Sequence, residues 1–143
     1  MTSDKGLLTF LSTPCHVSKY APAEGSPERK LFHAMWDTGC SKSIITKRVV
    51  KACGLKPIRA IRSIFLSSVK GLEKSEGYVV NIHLPDKLTI RELTVFSKDP
   101  GDVWWDMLIG MDIISIGDFS VRNVNSKTEW TFSIPSQQYE GAE

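Results

Sequence analysis

Little in this chain of 143 residues points to a membrane, a secretion route or a polyanion. The three cysteines, Cys15, Cys40 and Cys53, are an odd and widely spaced set. Such a set builds no disulfide framework, and it suits reduced thiols in a cytoplasmic protein. Apolar runs are short, and none approaches the roughly 18 residues of a membrane span. The N-terminal run Gly6-Leu7-Leu8-Thr9-Phe10-Leu11 is shorter than a signal peptide's core and has no small-residue cleavage site after it, so a non-exported, soluble protein is expected. Excess charge is also scarce, with 18 basic against 16 acidic residues. By itself that balance argues neither way about nucleic acid; the cations are scattered, no run resembles a basic arm, and no nucleic-acid partner is expected. Repeats and long linkers are missing too, so residues 1–143 are expected to form a single domain.

What remains is an ordinary globular composition, 41% hydrophobic and 24% charged, sufficient for one core. The reading is mostly strand. A β-like run begins at Leu7 and extends to Val17, and the run Lys30 to Trp36 pairs with it as a hairpin across a loop containing Pro22, Gly25 and Pro27. Thr46 is a suitable N-cap, Gly54 a suitable C′ residue and Pro57 a stop, which predicts one short helix with Val49, Val50 and Cys53 toward the core. Residues 58–66 are weakly strand-like, 67–71 turn-like, and 78–84 and 88–96 strands. A short helical turn is expected from Met111 to Ser115, and the tail 119–134 reads as a hairpin around Asn123 to Lys127.

The informative spot is Asp37-Thr38-Gly39, directly after an apolar strand. A carboxylate at a strand end can be held against backbone donors, and a following glycine admits close approach of another chain. Taken alone, the triplet is three common residues, and a strand-ending turn is its bland explanation. Competing chemistry is poorly supported. Cys40 with His33 or His83 as a thiol protease has no orienting residue at a recognisable spacing. Cys15 and His16, adjacent in a strand, point to opposite faces, and no four-ligand zinc spacing exists, so neither metal nor cofactor is expected. Of Trp104 and Trp105, one is expected in the core and the other over a neighbouring strand or a dimer contact. Asp112, at a helix start, reads as a capping or structural residue rather than a second catalytic carboxylate.

The wider context resembles retropepsins. The block Phe32-His33-Ala34-Met35-Trp36-Asp37-Thr38-Gly39-Cys40-Ser41-Lys42-Ser43-Ile44-Ile45-Thr46 is similar to that family's active-site block, and Asp106-Met107-Leu108-Ile109-Gly110-Met111-Asp112-Ile113-Ile114 to its second signature. The resemblance spans nearly the whole chain and is nearer to cellular members than to viral ones. It implies an all-β closed barrel of the acid-protease fold, with one short helix, acting as a homodimer. Asp37, Thr38 and Gly39 would then be the catalytic triplet. Cys40, Ser41, Ile44 and Leu108 would contact substrate, and Val69, Lys70 and Gly71 would form the tip of a flap within residues 67–84.

This chain has no second Asp-Thr/Ser-Gly. Two carboxylates close together cannot both ionise, so such a pair shares one proton, one member acting as base on water and the other polarising a carbonyl. A two-fold dimer would supply the second Asp37. The implied activity is peptide-bond hydrolysis without a cofactor. The alternative is a weakly catalytic dimer of the same fold that binds a peptide or protein partner. The departures from the family pattern are Cys40, where a smaller or hydroxylic residue is usual, and Ser41, where viral members often carry an acid.

Overall fold

The computed structural model describes residues 6–20, 27–67 and 71–135. Nine strands and two short helices follow in the order β1 (Leu11–Lys19), β2 (Lys30–Trp36), β3 (Ile44–Ile45), α1 (Lys47–Cys53), β4 (Ile58–Ser67), β5 (Gly71–Leu84), β6 (Leu88–Ser97), β7 (Met107–Ile109), α2 (Met111–Ile114), β8 (Asp118–Val124) and β9 (Lys127–Ser133). The main sheet runs β1-β2-β7-β3-β6-β5-β4, and a β1–β5 pairing closes six of these strands into a barrel. β4 stands outside the ring, paired with β5. Closure leaves as edges β4 and the first half of β1, which β5 does not reach.

Alternation decides the inside. Thr13, Cys15 and Val17 of β1, Phe32, Ala34 and Trp36 of β2, and Tyr78, Val80, Ile82 and Leu84 of β5 are buried. Their neighbours Ser12, Pro14, His16, Leu31 and His33 are exposed. Pro14 stands where β1 has a partner on one side only, since β5 pairs with residues from His16 onward. β7 is buried at all three positions, as befits a strand enclosed between β2 and β3.

α1 forms where its caps dictate. Gly54 adopts the left-handed conformation at φ 60° and its N–H returns to the Val50 and Lys51 carbonyls. Thr46 is extended at the N-cap but makes no side-chain cap; its hydroxyl donates instead to the Asp106 carbonyl oxygen at 2.8 Å. Val49 is fully buried, and Val50 and Cys53 pack at the margin of the core. β8 and β9 form a separate hairpin around Asn125 and Ser126, both at positive φ, as a two-residue turn requires. Its inner residues Phe119, Trp130 and Phe132 stack on Trp36, with ring centroids 5.0–5.9 Å away.

Several expectations shift. β1 begins at Leu11 rather than Leu7: Leu7 and Phe10 are exposed, and Leu8 N–H donates to the Thr128 hydroxyl beside the hairpin. The helical turn after Gly110 is a second helix, α2, so the barrel carries two short helices, not one. Neither tryptophan of the pair enters the core: Trp105 is half-buried, and Trp104 lies on the surface against Phe10. The hairpin assigned to 67–84 has both arms longer, β4 pairing with β5 from Ile58↔Gly77 to Ser67↔Gly71. No helix among the described residues is long and apolar enough to cross a membrane.

Candidate active site

Asp37 is delivered by β2. The preceding Trp36 is pinned by the aromatic cluster beneath it and by an indole N–H donated to the Thr13 hydroxyl at 3.0 Å. Asp37 N–H donates to the Ile109 carbonyl oxygen at 2.9 Å, which extends the parallel β2–β7 pairing by one rung. The chain then turns, with Cys40 N–H on the Asp37 carbonyl oxygen at 3.2 Å and Gly39 N–H on Asp37 Oδ1 at 2.9 Å. A Cβ at Gly39 would lie 3.2 Å from that carboxylate oxygen, so a side chain there would crowd the charge. Asp37 is half-buried, while Thr38 and Gly39 are exposed. Among the described residues nothing donates to Asp37 Oδ2, and one carboxylate oxygen is therefore available.

The second signature locks this turn from the other side. β7 lies between β2, to which it is parallel, and β3, to which it is antiparallel. Met111 N–H donates to the Cys40 carbonyl oxygen at 2.7 Å. A Cβ at Gly110 would come within 2.6 Å of that same oxygen, so the two blocks can meet only because position 110 has no side chain. Asp112 completes the lock. Its carboxylate accepts the Ser43 hydroxyl at 2.7 Å and the Ser43 N–H at 2.8 Å, and Ser43 Oγ accepts Gly110 N–H at 3.1 Å.

At the opposite end of β7, Asp106 is used just as fully. Its Oδ2 accepts His33 N–H at 2.9 Å and its Oδ1 the Arg48 guanidinium at 3.0 Å. Arg48 also donates to the Val103 and Trp105 carbonyl oxygens, so one side chain ties α1 to the strand that carries Gly110.

The remaining candidates fall as follows. Ser41 is exposed beside the turn. Ile44 and Leu108 face each other in register, are 5% and 9% exposed, and stand apart from the main core cluster that holds Ile45, Met107 and Ile109. Val69 and Lys70 lie outside the described residues; Gly71 opens β5 opposite Ser67. The root of that hairpin belongs to the same row of paired residues, since Gly77 pairs with Phe96, Phe96 with Ile44 and Ile44 with Leu108.

Cys40 is half-buried, with its thiol donating to the Lys42 carbonyl oxygen at 2.9 Å. Burial, then the charges of Asp37 and Asp112, push that thiol above its usual range, whereas the Lys42 contact and Lys98 pull it down. It is thus a thiol rather than a thiolate near neutrality, and its partner is a backbone carbonyl rather than either histidine proposed to serve it. His83 bonds Ser18 and Thr89, and His33 lies at the Asp106 end. Cys15 is buried with its pKa pushed up to about 12, and His16 faces outward, so these two share no site. No group of His, Cys, Asp or Glu among the described residues is arranged to hold a metal ion.

Sequence reasoning missed Ser43, which is fully buried, and the Arg48–Asp106 pair. A serine just before an apolar pair carries no signal without knowing that a carboxylate from 69 residues away meets it.

The whole is a closed β-barrel in which one half-exposed carboxylate is presented on a turn braced by two crossing chain segments. No family model and no curated protein matches the chain. Among solved structures it is similar to the retroviral protease-like domain of Ddi1 from Leishmania major, at 17% identity and a TM-score of 0.46, covering 87% of this chain and 96% of that one. It is also similar to a retropepsin-like aspartic protease from Rickettsia conorii, at 12% identity and a TM-score of 0.48, covering 89% of this chain and all of the other.

Proposed function

We propose that the chain is an aspartic endopeptidase in which Asp37 and the Asp37 of a second copy activate water for peptide-bond hydrolysis. The observation that carries this reading is the state of Asp37: rigidly positioned, half-exposed, with one oxygen bonded to Gly39 N–H and the other available. A lone carboxylate lacks the partner that acid–base hydrolysis of an amide needs, and a two-fold axis beside the exposed Thr38 and Gly39 supplies it. In the pair, one carboxylate takes a proton from water while its protonated neighbour donates to the scissile carbonyl oxygen. No covalent intermediate or cofactor is required.

The β4–β5 hairpin serves as the flap, since residues 71–76 of β5 pair with β4 and lie outside the barrel ring. Its turn, with Val69 and Lys70, would close over substrate; the peptide would bind extended, as an added strand. Ser41 and Cys40 would border the cleft, with Ile44 and Leu108, paired across β3 and β7, as its apolar walls. Three free cysteines, one fully buried, suit a reducing, cytoplasmic setting.

The test is a mixing experiment with a peptide library at acidic and neutral pH. Wild-type chain that cleaves selectively is titrated with an excess of Asp37→Asn chain under subunit exchange. Activity is expected to fall as mixed dimers replace wild-type dimers. Activity that stays proportional to the wild-type chain means each subunit works alone and the shared pair is wrong. Peptide binding without cleavage by the wild-type protein instead identifies a binding module of the same fold.

A further inference from the structure

Asp37 leaves the barrel at the Leu11 end of β1, where Leu11 faces Trp36. At the other end of β1, a different set of side chains gathers on the outer surface. His16 of β1 lies directly opposite His83 of β5, and His83 directly opposite Thr89 of β6. His16 and Thr89 are exposed and His83 is half-buried, so one row of outward positions crosses three strands. Arg91 follows two places after Thr89. Arg29, two residues before the outward-facing Leu31, approaches from the start of β2. Both arginines are exposed, and the register puts them on the same outward face: Leu31 stands opposite His16, with Arg29 two places before it, and Arg91 stands two places beyond Thr89.

The charges that act on His83 are all cationic. The nearby acid Glu28 is engaged with Lys30 at 3.8 Å, and Glu92 occupies a bulge where its N–H is held by the Asn81 side chain. Like charges do not collect on one face without cost, and they stand apart from the barrel's structural ion pairs.

His83 adds directional chemistry. Its Nε2 is 2.9 Å from the Ser18 hydroxyl and its Nδ1 3.2 Å from the Thr89 hydroxyl. A hydroxyl can donate or accept. When the ring carries two protons it donates to both oxygens, and the Thr89 O–H is released to donate outward.

We propose that His16, His83, Thr89, Arg29 and Arg91 form a binding site for a phosphate-class oxyanion, remote from Asp37 and independent of its chemistry. Two guanidinium groups, the outward His16 imidazole and the Thr89 hydroxyl match the several acceptor oxygens and the double negative charge of a phosphoryl group, and His83, bonded through both nitrogens, orients Thr89 beneath them. Burial, then the surrounding cations, hold His83 below its ordinary pKa, the condition a bound anion would relieve.

The experiment titrates the full chain with sodium phosphate at constant ionic strength and follows the imidazole resonances of His16, His83 and His33. His16 and His83 are expected to shift saturably while His33, at the Asp106 end of β2, stays still. Arg29→Gln and Arg91→Gln, both on the surface, should each weaken the apparent affinity about tenfold. A parallel titration with a phosphoserine peptide separates the sources: tighter binding than inorganic phosphate marks a phosphorylated chain as the ligand, equal binding a free ion. Shifts that never saturate, that include His33 equally, or that persist unchanged in the double arginine variant overturn the site.

Discussion

Three carboxylates sit around one short strand, and they are used in opposite ways. Asp106 and Asp112 flank β7, and each has both oxygens engaged by backbone or side-chain donors. Asp37, one rung away across β2, has among the described residues a single donor, Gly39 N–H, and an oxygen to spare. A carboxylate whose acceptor capacity is consumed holds structure, because removing it strands buried donors. One that is fixed by a single bond and otherwise open can exchange protons with a substrate or water. The same residue type thus builds the frame at two positions and faces outward at the third.

The largest expected effect separates those roles. Asp37→Asn should lower peptide cleavage by about a thousandfold or more, the range of lost acid–base catalysis. Its thermal midpoint should be unchanged or raised, because in the proposed dimer a neutral amide ends the repulsion between two acids. The comparison breaks if Asp112→Asn, measured in parallel at a temperature where it is folded, loses as much activity without losing stability.

Gly110→Ala comes next. The added carbon meets the Cys40 carbonyl oxygen at 2.6 Å, and backbone must move to admit it. A loss of about 3 kcal/mol is expected from denaturant unfolding. Activity should fall as well, since Cys40 follows the turn that carries Asp37. A variant of wild-type stability would show that the two blocks do not press together as described.

Asp112→Ala should cost about 2 kcal/mol, because the buried Ser43 N–H and hydroxyl lose their acceptor. The double variant Ser43→Ala/Asp112→Ala tests the coupling: its cost should be well below the sum of the single ones. Asp106→Asn should cost less, about 1 kcal/mol, because Arg48 is half exposed and keeps its two carbonyl partners.

How much of this was legible beforehand follows from where the physics is local. The α1 boundaries, the tail hairpin and the paired strands β1 and β2 announce themselves through caps, turn residues and alternation, all read within a few positions. Asp37-Thr38-Gly39 and Met107-Leu108-Ile109-Gly110 were legible as blocks. Their mutual lock was not, because it depends on Cys40 O, Ser43 and Asp112, brought together only by the barrel's crossing. The run from Leu7 looked like strand because its residues are apolar, yet Leu7 and Phe10 stay exposed and the ladder starts at Leu11. The expectation that one of Trp104 and Trp105 enters the core fails by the same assumption: neither does, and the contact of Trp104 is Phe10 on the surface, a partner that hydrophobicity alone does not name.

The smallest expected effect extends the comparison from carboxylates to a base. His83, like Asp106 and Asp112, has both of its polar atoms engaged within the barrel, whatever ligand its neighbours receive. Burial first, then Arg29, His16 and Arg91, depress its pKa below the ordinary 6.5. For a base with a lowered folded pKa, the unfolded chain takes up its proton first as pH falls. The charged ring therefore favours the unfolded state, and stability declines once pH drops below about 6.5, levelling out beneath the folded value. Above that window His83 contributes no pH dependence. The ring is only half-buried and the neighbouring cations are screened by solvent, so the decline is small. It should show in urea midpoints compared between about pH 7.5 and pH 5.5, and be shallower in Arg91→Gln, which removes one of the cations opposing the proton. Peptide cleavage, normalised to folded protein, should be indifferent to Arg91→Gln. If that substitution instead changes cleavage while leaving the acid-side slope of stability untouched, the far end of the barrel is coupled to the Asp37 turn rather than independent of it.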